Sequence, residues 1–328
     1  MTVSRVLVAE PLAPFLRETE VPDDLRVELL PEDAPVPAGD HVGLLPLLTR
    51  TIGAAEMDRL PGLRVVANYA VGHDNIDLEA ARERGIGVSN TPDVLTVATA
   101  ELTWALILAT ARRVGEGERL ARSGGWEGWR PTQLLGMGLD GKTLGVVGAG
   151  RIGREVGRRA GAFGMRIVYR SRRARPDWER EIGARRVELT ELLGTSDVVS
   201  LHVALGAETE RLIDADALDR MKPTAILVNT ARGGVVDEAA LVDALERGAI
   251  RAAGLDVYAD EPAIPARLRR LDNVVLLPHL GSATEEARRG MWRLAWGNLV
   301  RGVRGEPLLT PVGAGTSSED GEREGEDD

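Results

Sequence analysis

The sequence predicts an α/β protein built from two parallel-sheet domains, with one domain inserted into the other. Two series of short β-rich runs alternate with helical patterns, the first before residue 90 and the second after residue 142. Repeated βα units favour parallel sheets, because consecutive parallel strands need a crossover connection that is usually a helix. Helical patterns between the two series and near the C-terminus predict where the chain passes from one domain to the other.

The first series predicts a parallel sheet followed by one long helix. Strands are expected at residues 5–9, 26–29, 41–45, 63–67 and 87–89, with a helix at 77–84 between the last two. A mostly apolar helical pattern then runs from residue 96 to about residue 122, and we interpret it as an interdomain helix.

The second series predicts the inserted domain. Strands are expected at residues 143–147, 166–169, 197–201, 225–228, 254–257 and 274–277, and a last helix at 282–301 should return to the first domain. We therefore predict one domain from residues 1–98 and 288–311, a second, inserted domain from 99–287, and a disordered acidic tail at 312–328.

Composition excludes several kinds of chemistry. The chain has no cysteine, so disulfides, thiolate metal sites and cysteine nucleophiles are excluded, and its four histidines include no pair at metal-ligand spacing. Seven acidic residues against one arginine in the tail supply most of the net charge of −10, which gives no reason to expect a nucleic-acid partner. No membrane span or signal peptide is evident, and we expect a cytoplasmic protein.

A glycine-rich loop opens the second series. Residues Gly148, Gly150 and Gly153 form a G-x-G-x-x-G pattern that follows a predicted strand and begins a predicted helix. In Rossmann-like domains, such glycines allow a tight turn, close approach to a pyrophosphate and close helix packing. We assign Arg151 and Ile152 to the same coenzyme-binding loop. A glycine turn without a ligand is the alternative.

The coenzyme is expected to be NADP(H), with NAD(H) also accepted. NAD sites carry an acidic residue about 20 positions after the first glycine. Here Arg170, Ser171 and Arg172 occupy that region, and a guanidinium suits a 2′-phosphate through paired hydrogen bonds. A solvated basic loop is the alternative.

Three polar residues each follow a predicted strand of the second series. They are Arg232, Glu261 and His279, and in an open α/β sheet the carboxyl ends of the strands line one crevice. Reduction of a 2-oxo acid needs its carboxylate held, its carbonyl polarised and a proton delivered as hydride arrives. Arg232 can do the first two, and His279 can donate the proton if Glu261 favours its charged form.

Each of these residues has a structural alternative. Arg232 could cap the next helix, although Asp237 is the better cap, Glu261 could be a solvated turn residue, and His279 could be a buried core histidine. We interpret His41, His73 and His202 as structural.

The tryptophan segment, residues 123–131, separates the long helix from the second series. Its sequence SGGWEGWRP is irregular, yet it contains Trp126 and Trp129. We expect a two-fold homodimer whose interface includes this segment, because exposed tryptophans are costly unless a partner buries them. In the alternative, both tryptophans fill the core of their own subunit.

Six stretches of the chain resemble the D-isomer-specific 2-hydroxyacid dehydrogenases, and the resemblance runs from Val6 to about Leu309. They are NYAVGHDNID, NTPDVLTVATAEL, GKTLGVVGAGRIG, RMKPTAILVNTARGGVVDE, GLDVYADEP and NVVLLPHLGSAT. The segments GGWEGWRP and SRR are most similar to the glyoxylate/hydroxypyruvate reductase branch. The chain departs from the family at Ala204 and Gly206, which leaves its adenine-side contacts open.

The resemblance implies that residues 1–98 and 288–311 form a substrate domain around a dinucleotide-binding domain at 99–287. It also implies a function and several further site residues. Arg232, Glu261 and His279 would be the catalytic trio, Val71 and Gly72 would bind the substrate carboxylate, and Asp256 would meet the nicotinamide amide. Thr230, Ala231 and Gly281 are assigned to coenzyme binding, and Trp129 to a substrate pocket. The expected reaction is reduction of glyoxylate or hydroxypyruvate to the D-hydroxy acid. Reduction of another 2-oxo acid, such as 2-ketogluconate, and a dinucleotide-sensing corepressor remain the alternatives.

Overall fold

The computed structural model describes residues 3–313, and these form two units. The first unit contains the described residues up to Val94 and those from Glu285 onward, and the second is Leu95–Thr284. One unit therefore interrupts the other in the sequence, and each is built on its own largely parallel sheet. This confirms the predicted fold class.

Within residues 3–313, eleven strands follow the predicted runs with ends displaced by at most two residues, and two short strands, at 185–186 and 311–312, have no predicted run. They are β1 (Ser4–Ala9), β2 (Leu25–Leu30), β3 (Gly43–Leu45), β4 (Val65–Ala67), β5 (Gly87–Ser89), β6 (Thr143–Val147), β7 (Arg166–Arg170), β8 (Arg185–Arg186), β9 (Val198–Leu201), β10 (Ile226–Asn229), β11 (Ala252–Leu255), β12 (Val274–Leu276) and β13 (Pro311–Val312).

The helices lie mostly between consecutive strands. They are α1 (Ala13–Arg17), α2 (Ala54–Asp58), α3 (Leu78–Glu83), α4 (Thr96–Ala111), α5 (Val114–Arg122), α6 (Arg151–Ala160), α7 (Pro176–Ile182), α8 (Leu189–Thr195), α9 (Ala215–Arg220), α10 (Glu238–Glu246) and α11 (Glu285–Val303). Within residues 3–313, no helix combines the length and the apolar character that crossing a membrane requires.

The sheet of the first unit has the order β13-β5-β4-β3-β1-β2, and helix α11 packs against β3 and β4. All neighbours are parallel except β13, which pairs antiparallel with β5. Because Val312 belongs to this edge strand, the predicted start of the tail at residue 312 is wrong. Residues 314–328 of the predicted tail lie outside the described residues.

The sheet of the second unit has the order β12-β11-β10-β9-β6-β7-β8, and every neighbouring pair is parallel. Its central strands are buried along their whole length, as expected where helices cover both faces of a sheet. The strand order reverses between β6 and β9. Ligands of such sheets bind at this reversal, outside the carboxyl ends of the strands.

The single helix predicted over residues 96–122 is wrong. Helix α4 ends at Ala111, and Arg113 has a φ of 54°, which a continuous helix does not allow. The Ala111 carbonyl accepts the N–H of Met137 at 2.7 Å instead of a helical partner. A Cβ on Gly136 would lie only 2.5 Å from the Ala111 carbonyl oxygen. The returning chain therefore ends the helix, and a tertiary contact of this kind leaves no signal in the local pattern.

Candidate active site

Three adjacent strands of the second unit carry the predicted catalytic residues at their carboxyl ends. Arg232 follows β10, Glu261 lies in the segment after β11, and His279 follows β12. We use the names 256–261 loop and 279–281 loop for the segments that carry Glu261 and His279. The sheet order therefore places all three residues at one edge, as the sequence predicts.

His279 and Glu261 form a hydrogen-bonded pair. The His279 Nδ1 atom lies 2.7 Å from Glu261 Oε2, and each side chain is 28% exposed. Burial raises the pKa of Glu261, but the hydrogen bond from His279 and the charges of His279 and Arg232 outweigh it, so the pKa is below its usual value. An ionised carboxylate only accepts, so Nδ1 carries the proton of this bond. The pair leaves Nε2 available to a substrate.

Asp256 fixes the backbone around His279. Its carbonyl accepts the His279 N–H at 2.9 Å, and its carboxylate accepts the N–H groups of Leu280 at 2.7 Å and Gly281 at 2.8 Å. These bonds hold His279 at a φ of 55°, a left-handed conformation that is uncommon outside glycine. Burial raises the pKa of Asp256, and the two backbone bonds only partly offset this effect.

Tyr258 and Glu238 connect and support these loops, and sequence reasoning missed both. The Tyr258 N–H donates to Glu261 Oε1 at 3.0 Å, and its hydroxyl donates to the Leu277 carbonyl at 2.8 Å. Glu238 accepts the N–H of Ala259 at 2.8 Å. Tyr258 thus bonds to Glu261 through its backbone and to the chain just before His279 through its side chain.

Arg232 lies in a turn that packs against the 256–261 loop. Its carbonyl accepts from Asn229 Nδ2 at 2.9 Å, and its Nη1 donates to the Ala231 carbonyl at 2.9 Å. A Cβ on the next residue, Gly233, would lie 1.8 Å from the Tyr258 carbonyl carbon, so only glycine fits. Asp237 caps α10 by accepting the Ala240 N–H at 3.0 Å, so the capping alternative for Arg232 is wrong.

Two further predicted coenzyme residues lie in the same turn. The Thr230 hydroxyl is 2.9 Å from the hydroxyl of Thr103 on α4, and the Ala231 N–H donates to Asn229 Oδ1 at 3.0 Å. Thr103 also donates to the Thr99 carbonyl at 2.8 Å. Helix α4 therefore supports the turn that contains Arg232 through the contact of Thr103 with Thr230. The apolar pattern of α4 does not predict this contact.

The glycine loop between β6 and α6 fits a dinucleotide phosphate. Gly148 has a φ of 100°, and a Cβ there would lie 2.6 Å from the His202 carbonyl oxygen, while one on Gly153 would lie 2.1 Å from the Gly148 carbonyl oxygen. Apart from Gly150 itself and its two chain neighbours, no atom of the described residues lies within 4 Å of a Cβ on Gly150, and no side chain caps α6 there. The open cradle and the helix N-terminus at Arg151 and Ile152 suit an anion.

The 170–173 loop follows β7 and lies beside the glycine loop. The Gly148 N–H donates to the Arg170 carbonyl at 2.8 Å, and Arg175 Nε donates to the Ala149 carbonyl at 3.1 Å. Arg170 Nε is 3.6 Å from a carboxylate oxygen of Glu188. The loop itself contains no carboxylate, and its sequence is Arg170-Ser171-Arg172-Arg173.

Val71 and Gly72 lie in the first unit, in the segment after β4. Their carbonyls accept from Asn90 Nδ2 at 2.7 Å and from Asn68 Nδ2 at 2.9 Å, and the Ala70 carbonyl accepts the N–H of Thr91 at 2.8 Å. A trans peptide directs its N–H opposite to its carbonyl. The bonds to the Ala70 and Val71 carbonyls therefore fix the direction of the N–H groups of Val71 and Gly72. Sequence reasoning did not identify Asn68 and Asn90.

The tryptophan segment is exposed. Trp129 is 80% exposed and Trp126 is 58% exposed, so the alternative that both fill the core of their own subunit is wrong. Leu135, shortly after the segment, is also exposed.

Of the other three histidines, His202 and His41 make contacts that indicate a structural role. His202 Nε2 lies 2.8 Å from Ser200 Oγ, and burial lowers the pKa of His202 to about 3, which keeps the ring neutral. His41 is buried, with Nε2 3.0 Å from Glu28. His73 is partly exposed. Over residues 3–313, no group of three metal-binding side chains comes together.

The second unit, with its glycine loop and its carboxyl-edge residues, defines a nicotinamide-dependent oxidoreductase. Residues 104–281 match the family model of the D-isomer specific 2-hydroxyacid dehydrogenase NAD-binding domain. Glyoxylate reductase from Thermococcus onnurineus is 52% identical over 83% of each chain, and that of Thermococcus kodakarensis is 50% identical over 88% of this chain and 90% of its own. This chain belongs to the D-isomer specific 2-hydroxyacid dehydrogenase family.

A solved structure agrees with this assignment. The NADPH-dependent glyoxylate/hydroxypyruvate reductase from Sinorhizobium meliloti, in complex with NADP and malonate, has a TM-score of 0.85 and 35% identity over 95% of this chain and 97% of its own. The predicted resemblance to the glyoxylate reductase branch is confirmed by these matches.

Proposed function

We propose that this protein reduces glyoxylate to its achiral 2-hydroxy acid, or hydroxypyruvate to the D-2-hydroxy acid, and prefers NADPH to NADH. The observation that carries the proposal is the 2.7 Å pair of His279 and Glu261, beside Arg232 at the carboxyl edge of a coenzyme-type sheet. The relatives that share 52% and 50% sequence identity with this chain are named glyoxylate reductases, and they support the choice of substrate.

Each residue of the trio has a separate task in the proposed reaction. Arg232 binds the substrate carboxylate and polarises the carbonyl, since a guanidinium can donate several hydrogen bonds at once. His279 donates the proton on Nε2 to the carbonyl oxygen, while Glu261 orients the ring through Nδ1. The nicotinamide, when bound, supplies the hydride.

The coenzyme would be held along the carboxyl edge of the second sheet. The pyrophosphate would be bound by Gly148, Gly150, Arg151, Ile152 and Gly153, because the loop leaves free space next to Gly150. Thr230, Ala231, Asp256 and Gly281 would lie at the nicotinamide end. Arg170, Ser171 and Arg172 would receive the 2′-phosphate of NADPH.

A panel of 2-oxo acids tests the proposed substrate. Initial rates are measured for glyoxylate, hydroxypyruvate, pyruvate and 2-ketogluconate, each with NADPH and with NADH. We expect the highest kcat/KM for glyoxylate or hydroxypyruvate with NADPH. A higher value for 2-ketogluconate would overturn the proposed substrate, and coenzyme binding without any turnover would favour a dinucleotide-sensing protein.

The coenzyme preference has its own test in Arg170→Asp. The substitution exchanges a charge-assisted contact for repulsion against a 2′-phosphate, so the preference should reverse towards NADH. Equal kcat/KM for both coenzymes in the wild type would contradict the proposal.

We also propose a two-fold homodimer whose interface includes the tryptophan segment, with Trp129 reaching the substrate pocket of the partner. The support is the 80% exposure of Trp129, since large exposed aromatic surface commonly marks an interface. Sedimentation at micromolar concentration should give a dimer, and a monomer would contradict this part of the proposal.

A further inference from the structure

The short edge strand β8 places Arg186 against the backbone of the 170–173 loop. Arg186 Nε and Nη2 donate to the Ser171 carbonyl at 3.3 and 3.1 Å, and Nη2 also donates to the Arg172 carbonyl at 3.1 Å. Strand β8 pairs in parallel with β7, with Arg186 opposite Tyr169. One side chain thus connects two successive carbonyls of the loop to the neighbouring strand.

These bonds determine which side of each peptide faces away from Arg186. Because a trans peptide directs its N–H opposite to its carbonyl, holding the Ser171 and Arg172 carbonyls turns the N–H groups of Arg172 and Arg173 to the other side. The Ser171 hydroxyl bonds to the Arg173 carbonyl and closes the turn. Carbonyl oxygens repel an anion, whereas N–H groups attract it, so this arrangement leaves the N–H groups of Arg172 and Arg173 to bind a phosphate. Arg170 Nη1 also donates to the Ser171 carbonyl, at 3.1 Å, whereas the Arg172 carbonyl accepts from Arg186.

We propose that Arg186 is a positioning residue for NADPH selectivity, acting by holding the 170–173 loop in a phosphate-accepting conformation. The inference rests on the proposed NADPH preference and adds a residue outside the loop that no motif of the sequence singles out. Arg186 acts through the loop backbone, so its removal should weaken only ligands that carry a 2′-phosphate.

The adjacent Arg185 provides a matched control. Successive residues of a strand face opposite sides of a sheet, and Arg185 pairs with Glu191 at 2.8 Å on α8. Arg185→Gln and Arg186→Gln remove the same charge from neighbouring positions of one exposed strand. A difference between the variants therefore reports the contact with the loop, and not net charge.

The test compares two ligands that differ only in the 2′-phosphate. Calorimetric titration measures the Kd of 2′,5′-ADP and of 5′-AMP for the wild type, Arg186→Gln, Arg185→Gln and Arg186→Lys. We expect Arg186→Gln to weaken 2′,5′-ADP by about tenfold without changing 5′-AMP, Arg185→Gln to resemble the wild type, and Arg186→Lys to be intermediate.

Two outcomes separate this inference from the proposed function. If the wild type binds 2′,5′-ADP no better than 5′-AMP, the NADPH preference fails and the role of Arg186 fails with it. If the wild type prefers 2′,5′-ADP but Arg186→Gln and Arg185→Gln behave alike, the preference stands and the role of Arg186 is overturned. Retained binding of 5′-AMP shows that the variants are folded.

Discussion

The 256–261 and 279–281 loops and the 170–173 loop follow strands of one sheet but are held in different ways. The first two are fixed by Asp256, Tyr258 and Glu261 through partly or fully buried hydrogen bonds. The 170–173 loop is held by Arg186 through exposed bonds. Loss of a buried bond costs more than loss of an exposed one. Substitutions at the first site should therefore change the rate strongly, and those at the second should change coenzyme choice moderately.

Apart from substitution of His279 itself, Arg232→Ala should have the largest effect on kcat/KM. It removes the proposed donor to the substrate carbonyl and carboxylate, and loss of such a donor lowers rates by about 10²- to 10³-fold. The measurement is kcat/KM for glyoxylate, with Arg247→Ala as the matched control because Arg247 pairs with Asp219 on the surface. A loss in Arg232→Ala no larger than in the control would remove Arg232 from the proposed mechanism.

Glu261→Gln should change both the rate and its pH dependence. The pKa of Glu261 is lowered, so its charge is present at neutral pH and is lost only when the pH falls through that lowered pKa. Reduction needs a proton on His279, and a neutral amide at position 261 would be a weaker acceptor for its Nδ1–H than the carboxylate is. In the variant, the alkaline decline of kcat/KM should therefore move to lower pH, with about a tenfold loss near neutrality. An unshifted decline would show that Glu261 does not support the proton donor.

Trp129→Ala should have a moderate effect, concentrated in KM and in the selectivity among 2-oxo acids. Trp129 is proposed to reach the partner's pocket, so binding of 5′-AMP should not change. Trp126→Ala is the control from the same exposed segment. If Trp129→Ala changes neither the kinetics nor the sedimentation of the protein, Trp129 has no role in the pocket or the interface.

Glu188→Gln should have the smallest effect, and it should tighten the binding of 2′,5′-ADP. Its carboxylate lies 3.6 Å from Arg170 Nε and is 76% exposed, so it competes weakly with a phosphate for that guanidinium. Removing an exposed charge of this kind changes affinity by about two- to threefold, here towards tighter 2′,5′-ADP. Weaker binding would mean that Glu188 orients Arg170 productively.

The sequence predicted the parts of the molecule that depend on local pattern. Apolar runs followed by Arg232, Glu261 and His279 indicated strands and their carboxyl ends, and the spacing of Gly148, Gly150 and Gly153 indicated the phosphate cradle. These features can be predicted because the residues that form each apolar run, and those that form the glycine loop, are close together in the chain.

The supporting contacts could not be predicted because they join residues far apart in the chain. Asp256 bonds to the backbone of Leu280 and Gly281, Glu238 bonds to Ala259, and Gly136 meets the end of α4 at Ala111. Arg186 belongs to a strand of two exposed arginines, which has no hydrophobic alternation to mark it. Only the pairing of β7 with β8 brings it to the 170–173 loop.

The rate of hydride transfer in His279→Gln tests the central claim most directly. Single-turnover oxidation of NADPH by glyoxylate is followed in the wild type and the variant, with NADPH affinity measured in parallel. If His279 donates the proton, the rate falls by about 10²- to 10⁴-fold while NADPH affinity stays unchanged. A variant that keeps more than about a tenth of the wild-type rate would contradict the assignment of His279 as the acid.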